Sequence, residues 1–211
     1  MKFQELVSLV KEEPVFTSGL LISGNIDPRQ LRRQLSRWNE AGRIVQLRRG
    51  LYALAEPYRS SAPHPFILAN SLVRASYVSL QSALAYYGMI PEHVPVITSV
   101  TTLRPWMWTT AFGTFAYRHI SRGFFFSYRR EEVSPGKIAL LATPEKALCD
   151  LIHLTPGGDS PSYLRALRLQ NLDQLDPAAL LALVQRSGRP KLERARRILE
   201  ELRDAGGRDA S

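Results

Sequence analysis

One stretch, residues 28–54, constrains the fold most, because a helical period in it gives way directly to two short alternating segments. An apolar stripe at helical spacing consists of Leu31, Leu35 and Trp38. Asp27 suits the N-cap, Pro28 suits the first helical position, and Gly42 suits the end of the helix. The segments RIVQL and GLYAL then predict a hairpin with Arg48, Arg49 and Gly50 at its tip.

The residues before this stretch predict one helix and a second, shorter one. A single apolar face is formed by Phe3, Leu6, Val7 and Val10. Pro14 ends that helix, and FTSGLLISGN is long enough for a short helix or one turn. Three helices followed by a hairpin is the order of a winged helix-turn-helix, in which the second helix of the motif enters the major groove of DNA.

Charge is concentrated in the same stretch. The chain has 211 residues and a formal net charge of +9. Between Pro28 and Gly50 there are seven arginines and a single acid, Glu40. A basic cluster on a recognisable motif favours a polyanionic partner such as nucleic acid.

The predicted DNA-binding residues are those that point away from the apolar stripe, together with the hairpin tip. They are Arg29, Gln30, Arg32, Arg33, Ser36, Arg37, Arg48 and Arg49. Arginine's planar fork suits phosphates and guanine edges. The alternative is a solvated arginine face that serves only solubility, and the pattern does not separate arginines that contact bases from those that contact phosphates.

The rest of the chain predicts a second, larger domain. A proline-rich segment, EPYRSSAPHP, marks a linker over residues 56–65. The predicted division is a winged helix-turn-helix at 1–55, an α+β domain at 66–205 and a flexible tail at 206–211. RPWMW is expected in a loop, and GFFFSYRREEV in a strand. The fold class is therefore α+β, with an N-terminal winged helix-turn-helix and a larger mixed domain that ends in helices.

Composition indicates the class of protein and its cellular location. Hydrophobic residues make up 45% and charged residues 22%, which is ordinary for a globular chain. No run approaches the roughly 18 apolar residues that span a bilayer, and the N-terminus has no signal-peptide pattern. One cysteine, Cys149, can form neither an internal disulfide nor a multi-cysteine zinc site. We expect a cytoplasmic protein without a membrane partner.

Enzyme chemistry finds little support in the sequence. Glu145, Lys146 and Asp150 lie along one predicted helix and could suggest a catalytic site. The simpler interpretation is that Glu145 is a first-turn glutamate favoured by the helix dipole and that the group makes a structural contact. Ser79 and Ser82 are expected to cap a helix, and Cys149 to be a small buried residue. Neither metal-binding histidine motifs nor nucleotide-binding glycine motifs occur, so no catalytic residue, metal or cofactor is expected. The remaining alternative is an enzyme or RNA-binding module with a catalytic second domain.

Several ordered motifs together resemble the AbiEi-type antitoxin and transcriptional regulator family. They are RIVQLRRGLYAL (43–54), YVSLQSALAYYGMIPEHVPVITSVTT (77–102), GTFAYRHI (113–120) and LATPEKALCDLIHL (141–154). The resemblance covers roughly residues 1–154, and the helical end matches only in general character.

The resemblance implies a repressor that is also the antitoxin of a two-gene phage-defence operon. The winged helix would bind repeats in double-stranded DNA of its own promoter, with self-association on that DNA. The genetic partner would be a nucleotidyltransferase-like toxin, and no direct complex with the toxin would be needed. The resemblance implies no catalytic residues.

Overall fold

The structure is a computed structural model, and it describes residues 1–22 and 27–209. The end of the predicted short second helix falls in residues 23–26, outside the described residues. The N-terminal part consists of α1 (Phe3–Val10), β1 (Phe16–Thr17), a 3-10 helix (Ser18–Ile22), α2 (Pro28–Glu40), β2 (Ile44–Arg48) and β3 (Leu51–Leu54). The predicted first helix, arginine-rich helix and hairpin are therefore confirmed.

The N-terminal part has its own small core. Its three strands form an antiparallel sheet in the order β1-β3-β2. The apolar stripe of α2 and the inner face of α1 pack together on this sheet, through buried Leu6, Val10, Leu31, Leu35, Trp38, Ile44 and Tyr52. The ring of Trp38 meets that of Phe3 edge-on, with 5.4 Å between centroids. Burial of one helical face in this way stabilises helices too short to persist alone.

The larger part alternates short helices and strands before a helical end. Its first elements are α3 (Pro65–Leu72), β4 (Ser76–Val78), α4 (Leu80–Tyr86), β5 (Val96–Thr101), β6 (Trp106–Thr110) and β7 (Gly113–His119). After a 3-10 helix (Arg122–Phe124) come β8 (Tyr128–Ser134), β9 (Lys137–Ala142), α5 (Pro144–Leu154), α6 (Pro161–Ala166), a further 3-10 helix (Leu172–Gln174), α7 (Pro177–Ser187) and α8 (Pro190–Asp209).

A six-stranded mixed sheet organises this part, in the order β6-β7-β5-β4-β9-β8. Side chains of successive strand residues point to opposite faces of a sheet. On β7, the hydroxyl of Tyr117 donates to Ala69 O in α3, whereas the guanidinium of Arg118 donates to Leu154 O at the end of α5. Helices therefore cover both faces of the sheet, with α3 on one side and α5 on the other.

The hairpin β2–β3 belongs to both cores at once. All four residues of β3 are buried. Tyr52 and Leu54 pack in the N-terminal core, whereas Leu51 and Ala53 pack in the core of the larger part. Residues 56–64 also contact both parts, since Ser60 Oγ donates to Lys11 O and the Arg59 guanidinium lies over the Phe112 ring. The predicted linker is thus tied to both parts, although Glu56, Pro57, Ser60, Ser61 and Ala62 are exposed.

Three predictions of secondary structure need correction. Trp106, expected in a loop, begins the edge strand β6, because residues 106–110 pair with residues 113–117 of β7. The run Phe124–Phe126, expected in a strand, is a 3-10 turn and loop, and the buried Lys146 ammonium lies 3.6 Å from the centre of the Phe124 ring and 5.3 Å from that of Phe126. The tail expected from residue 206 continues α8 as far as Asp209.

Candidate nucleic-acid interface

Six polar side chains of α2 form an exposed surface, which we call the arginine face. Its members are Arg29, Gln30, Arg32, Arg33, Ser36 and Arg37, and all six are exposed. The helix begins where the sequence predicts, because Asp27 Oδ1 accepts from Arg29 N at 2.9 Å and Pro28 occupies the first position. Because the apolar stripe on the opposite side of α2 is buried, the helix is held with this face outward.

The arginine face is not neutralised by neighbouring acids. Within the described residues, none of its four arginines forms an ion pair with a carboxylate. Arg32 Nε donates to Pro28 O at 3.1 Å, and Glu40 accepts from the hydroxyl of Ser36 at 2.9 Å. The guanidinium groups of Arg29, Arg33 and Arg37 therefore remain available to an external anion.

Arg49 lies beside the arginine face. It and Gly50 line a groove of about 260 Å³ together with Arg32 and Pro28 of α2. Gly50 has φ of +79°, a conformation that favours glycine, and its carbonyl accepts from Ser18 N at 3.0 Å. The turn thus carries Arg49 toward the helix, and two cations border one groove.

Arg48 has a different position from the one predicted for a hairpin tip. Its guanidinium is half-buried and turns toward the larger part, where Nη2 lies 3.4 Å from Ser71 O. A β-bulge between Gln46 and Arg48 interrupts the alternation on which the prediction relied. The structure therefore separates Arg48 from the exposed members of the predicted site, although it is the immediate neighbour of Arg49.

One further exposed arginine, which the sequence pattern does not indicate, lies near the hairpin. Arg74, just after α3, borders a groove that Thr17 of β1 and Leu51 of β3 also line. It stands in SLVRA, a short segment without a charge cluster or a turn motif. Only the packing of α3 against the hairpin places Arg74 there, so no local signal could have identified it.

The polar residues of the larger part that invited an enzymatic interpretation form a closed internal network. Lys146 and Asp150 are ion-paired and have no exposed side-chain surface. Asp150 Oδ2 also accepts from Tyr77 Oη at 3.0 Å and from Ser79 Oγ at 2.8 Å. Burial lowers the pKa of Lys146, and the negative charge of Asp150 opposes this shift. Burial raises the pKa of Asp150, and the positive charge of Lys146 opposes that shift.

Other predictions for this region are partly confirmed. Glu145, in the first turn of α5, accepts from Asp176 N at 3.0 Å, which is the expected structural contact. Cys149 is buried, and burial raises the pKa of its thiol. Ser79 does occupy an N-cap position, but its hydroxyl goes to Asp150 and makes no capping bond, so that part of the prediction was wrong. Ser82 lies inside α4 and donates to Val96 O.

Over residues 1–22 and 27–209, no group of three or more histidine, cysteine, aspartate or glutamate side chains is placed to hold a metal ion. No helix in the same part of the chain is both long and apolar enough to cross a bilayer.

The architecture makes the chain an α+β protein, and comparison with known structures agrees at that level. The crystal structure of the Rv2827c protein from Mycobacterium tuberculosis is similar, with a TM-score of 0.56 and 17% sequence identity. The match covers 93% of this chain and 75% of that one. No protein-family model matches the chain, and no curated protein does. The likeness is one of fold.

Proposed function

We propose that this chain binds double-stranded DNA as a winged helix-turn-helix protein, with α2 in the major groove and the β2–β3 turn beside it. The observation that carries the proposal is the arginine face: four arginines without an ion pair in the described residues lie on the exposed side of a helix whose opposite side is fixed in a core. Solubility alone does not require that Arg49 of the β2–β3 turn and Arg32 of α2 line the same groove.

The order of elements supports this reading. A helix, a short strand, a 3-10 helix, a second α-helix and a hairpin follow one another, and the sheet order is β1-β3-β2. The 3-10 helix stands where the first helix of a helix-turn-helix would stand, so α2 takes the place of the recognition helix. We assign phosphate or base contacts to Arg29, Gln30, Arg32, Arg33, Ser36, Arg37 and Arg49.

The regulatory part of the proposal rests on the resemblance to AbiEi-type regulators. In this view the chain represses its own promoter and is the antitoxin to a nucleotidyltransferase-like toxin encoded beside it. It acts in the cytoplasm without a catalytic step of its own. A neighbouring gene for such a toxin, and rescue of growth when this chain is co-expressed with it, would support the antitoxin role. Failure of the rescue would remove that role and leave DNA binding standing.

Fluorescence anisotropy with a labelled fragment of the chain's own upstream DNA tests DNA binding. Arg33→Ala with Arg37→Ala should weaken binding about tenfold or more, because each arginine can contact phosphate or a guanine edge. Affinity for the fragment should also fall steeply as salt rises.

A matched control removes two exposed arginines elsewhere, Arg130 on β8 and Arg165 on α6. Arg186 and Arg189 would be unsuitable as controls, because their guanidiniums lie over the rings of Phe126 and Phe124 and their removal would also change packing. Equal losses in the two double variants would mean that net charge, and not α2, governs binding. Tighter binding to RNA of the same length would favour the RNA-binding alternative.

A further inference from the structure

The two edges of the six-stranded sheet differ sharply in chemistry. The edge strand β8 carries four consecutive charged residues, Arg129, Arg130, Glu131 and Glu132. The opposite edge strand, β6, belongs to a twelve-residue run from Trp106 to Tyr117 that has no charged residue and no proline. Charges and prolines are the usual devices that keep exposed edges from pairing with another strand. The strand β8 is thus protected along its own length, whereas at β6 the nearest such residues, Arg104 and Pro105, come just before the strand.

Apolar exposure is concentrated at the same edge. The exposed fraction is 59% for Trp106 and 64% for Met107, the two largest values among exposed large hydrophobic side chains in the described residues. Leu103, just before the strand, is 55% exposed. Trp106 and Trp108 lie on one face of the strand with 5.9 Å between ring centroids. Large aromatic and methionine side chains are enriched where proteins meet other proteins.

We infer that β6 is a self-association surface, on which the β6 strand of a second copy of this chain pairs antiparallel across a two-fold axis. A second copy fits because the outward backbone groups of a strand are complementary to those of its own copy in that arrangement. Each chain carries a net charge of +9, so two copies repel each other over much of their surface. An uncharged edge lets them approach without opposing like charges.

The strand itself defines the register. β6 spans five residues, and an axis at its middle residue, Trp108, pairs all five. Met107 then lies opposite Thr109 of the other copy, and Trp106 lies opposite Thr110. The tryptophans of both copies gather on one face, where aromatic cross-strand contacts stabilise a sheet.

This arrangement has a geometric consequence. Trp106 pairs with Tyr117, whose side chain lies on the same face as α3, and α3 also contacts the hairpin. A two-fold axis perpendicular to the sheet joins like faces, so both hairpins would lie on the same side of a continuous twelve-stranded sheet. The association itself does not depend on DNA binding, and either proposal can fail without the other.

Sedimentation velocity of the full chain, over a concentration series that reaches the millimolar range, measures the dimer. Met107→Lys with Thr109→Lys should weaken association by about tenfold or more, because lysines then face each other twice across the axis. Met107→Lys with Thr109→Glu should restore it, because each lysine then faces a glutamate. Ile138→Lys, on the interior strand β9, removes another exposed apolar side chain and should leave the dimer intact.

Circular dichroism melting curves of all four proteins establish that each variant is folded. A wild-type chain that stays monomeric throughout the series would overturn the inference. So would a Lys/Glu variant that associates no better than the Lys/Lys variant, because the register would then be wrong. Equal weakening by Ile138→Lys would mean that general hydrophobicity, and not the β6 edge, holds the copies together.

Discussion

Arg48 and Ser71 join the two parts of the molecule, since the guanidinium of Arg48 donates to the carbonyl oxygen of Ser71 across 3.4 Å. Arg49, the next residue, is exposed beside Arg32. Two adjacent arginines therefore have different surroundings. One is packed against the larger part, and the other faces solvent at the proposed DNA surface.

The first prediction separates the roles of these two arginines. Arg49→Ala should lower DNA affinity and leave the free energy of unfolding almost unchanged. Arg48→Ala should instead lower the free energy of unfolding by about 1–2 kcal/mol, because it removes packing and a partly buried hydrogen bond. Urea unfolding and DNA titration of both variants provide the measurements. Equal loss of affinity without any change in stability would place both side chains on the DNA.

The second prediction concerns the backbone of the hairpin turn. Gly50→Ala should cost about 1–2 kcal/mol, because an L-residue is strained at positive φ. The added Cβ would also lie 3.3 Å from Ser18 Oγ. Gly123→Ala is the matched control, since Gly123 does not have positive φ and a Cβ there meets no atom within 4 Å. Urea midpoints that shift equally for the two variants would contradict the proposed strain.

The third prediction concerns the buried pair of Lys146 and Asp150. Lys146→Met should destabilise the fold by about 3–5 kcal/mol, because a carboxylate would be left without its cation in the core. Adding Asp150→Asn should recover much of this loss, because the amide oxygen still accepts from Tyr77 and Ser79 and carries no charge. The free energy of unfolding in urea measures both effects. No recovery in the double variant would mean that the charge of Asp150 is not the cause.

The fourth prediction follows from His153 in α5. Burial lowers its pKa to about 4, and the positive charges of Arg189, Lys191 and Lys146 act in the same direction. At a pH between the unfolded pKa of about 6.5 and the folded value, His153 binds a proton in the unfolded chain but stays neutral in the folded chain. The free energy of unfolding should therefore fall as pH is lowered from about 6.5 to about 4. The full stabilising contribution of neutral His153 should be present only above about pH 6.5.

His153→Gln removes this part of the pH dependence. The loss of unfolding free energy between about pH 7 and pH 5 should be smaller than in the wild-type chain, a window that lies above most carboxylate titrations. Identical slopes in the wild-type chain and the His153→Gln variant would show that His153 does not contribute.

Features set by neighbouring residues could be predicted from the sequence. Asp27 with Pro28, and Thr143 with Pro144, start helices at the expected positions, because capping depends on residues within one turn. The outward direction of the arginine face followed from helical period alone. These features need no knowledge of the rest of the fold.

Features set by distant contacts could not be predicted. Arg48 turned away from its expected position because of a β-bulge and because α3 lies behind the hairpin. Trp106 lies in a strand because residues of β7 pair with it, and Phe124 lies in a 3-10 turn where its ring contacts the Lys146 ammonium, 22 residues further along the chain. A local sequence pattern does not identify such distant partners. The position of Arg74 likewise depends on a distant contact, the packing of α3 against the hairpin.

The burial of β3 on both sides also bears on how such a chain can change over generations. An N-terminal part that folded independently could be exchanged between proteins as a cassette. Here Leu51 and Ala53 are part of the neighbouring core, so a transplanted hairpin would arrive with the wrong surface. If α2 binds DNA as we propose, new specificity would have to come from substitutions on its exposed side, one side chain at a time.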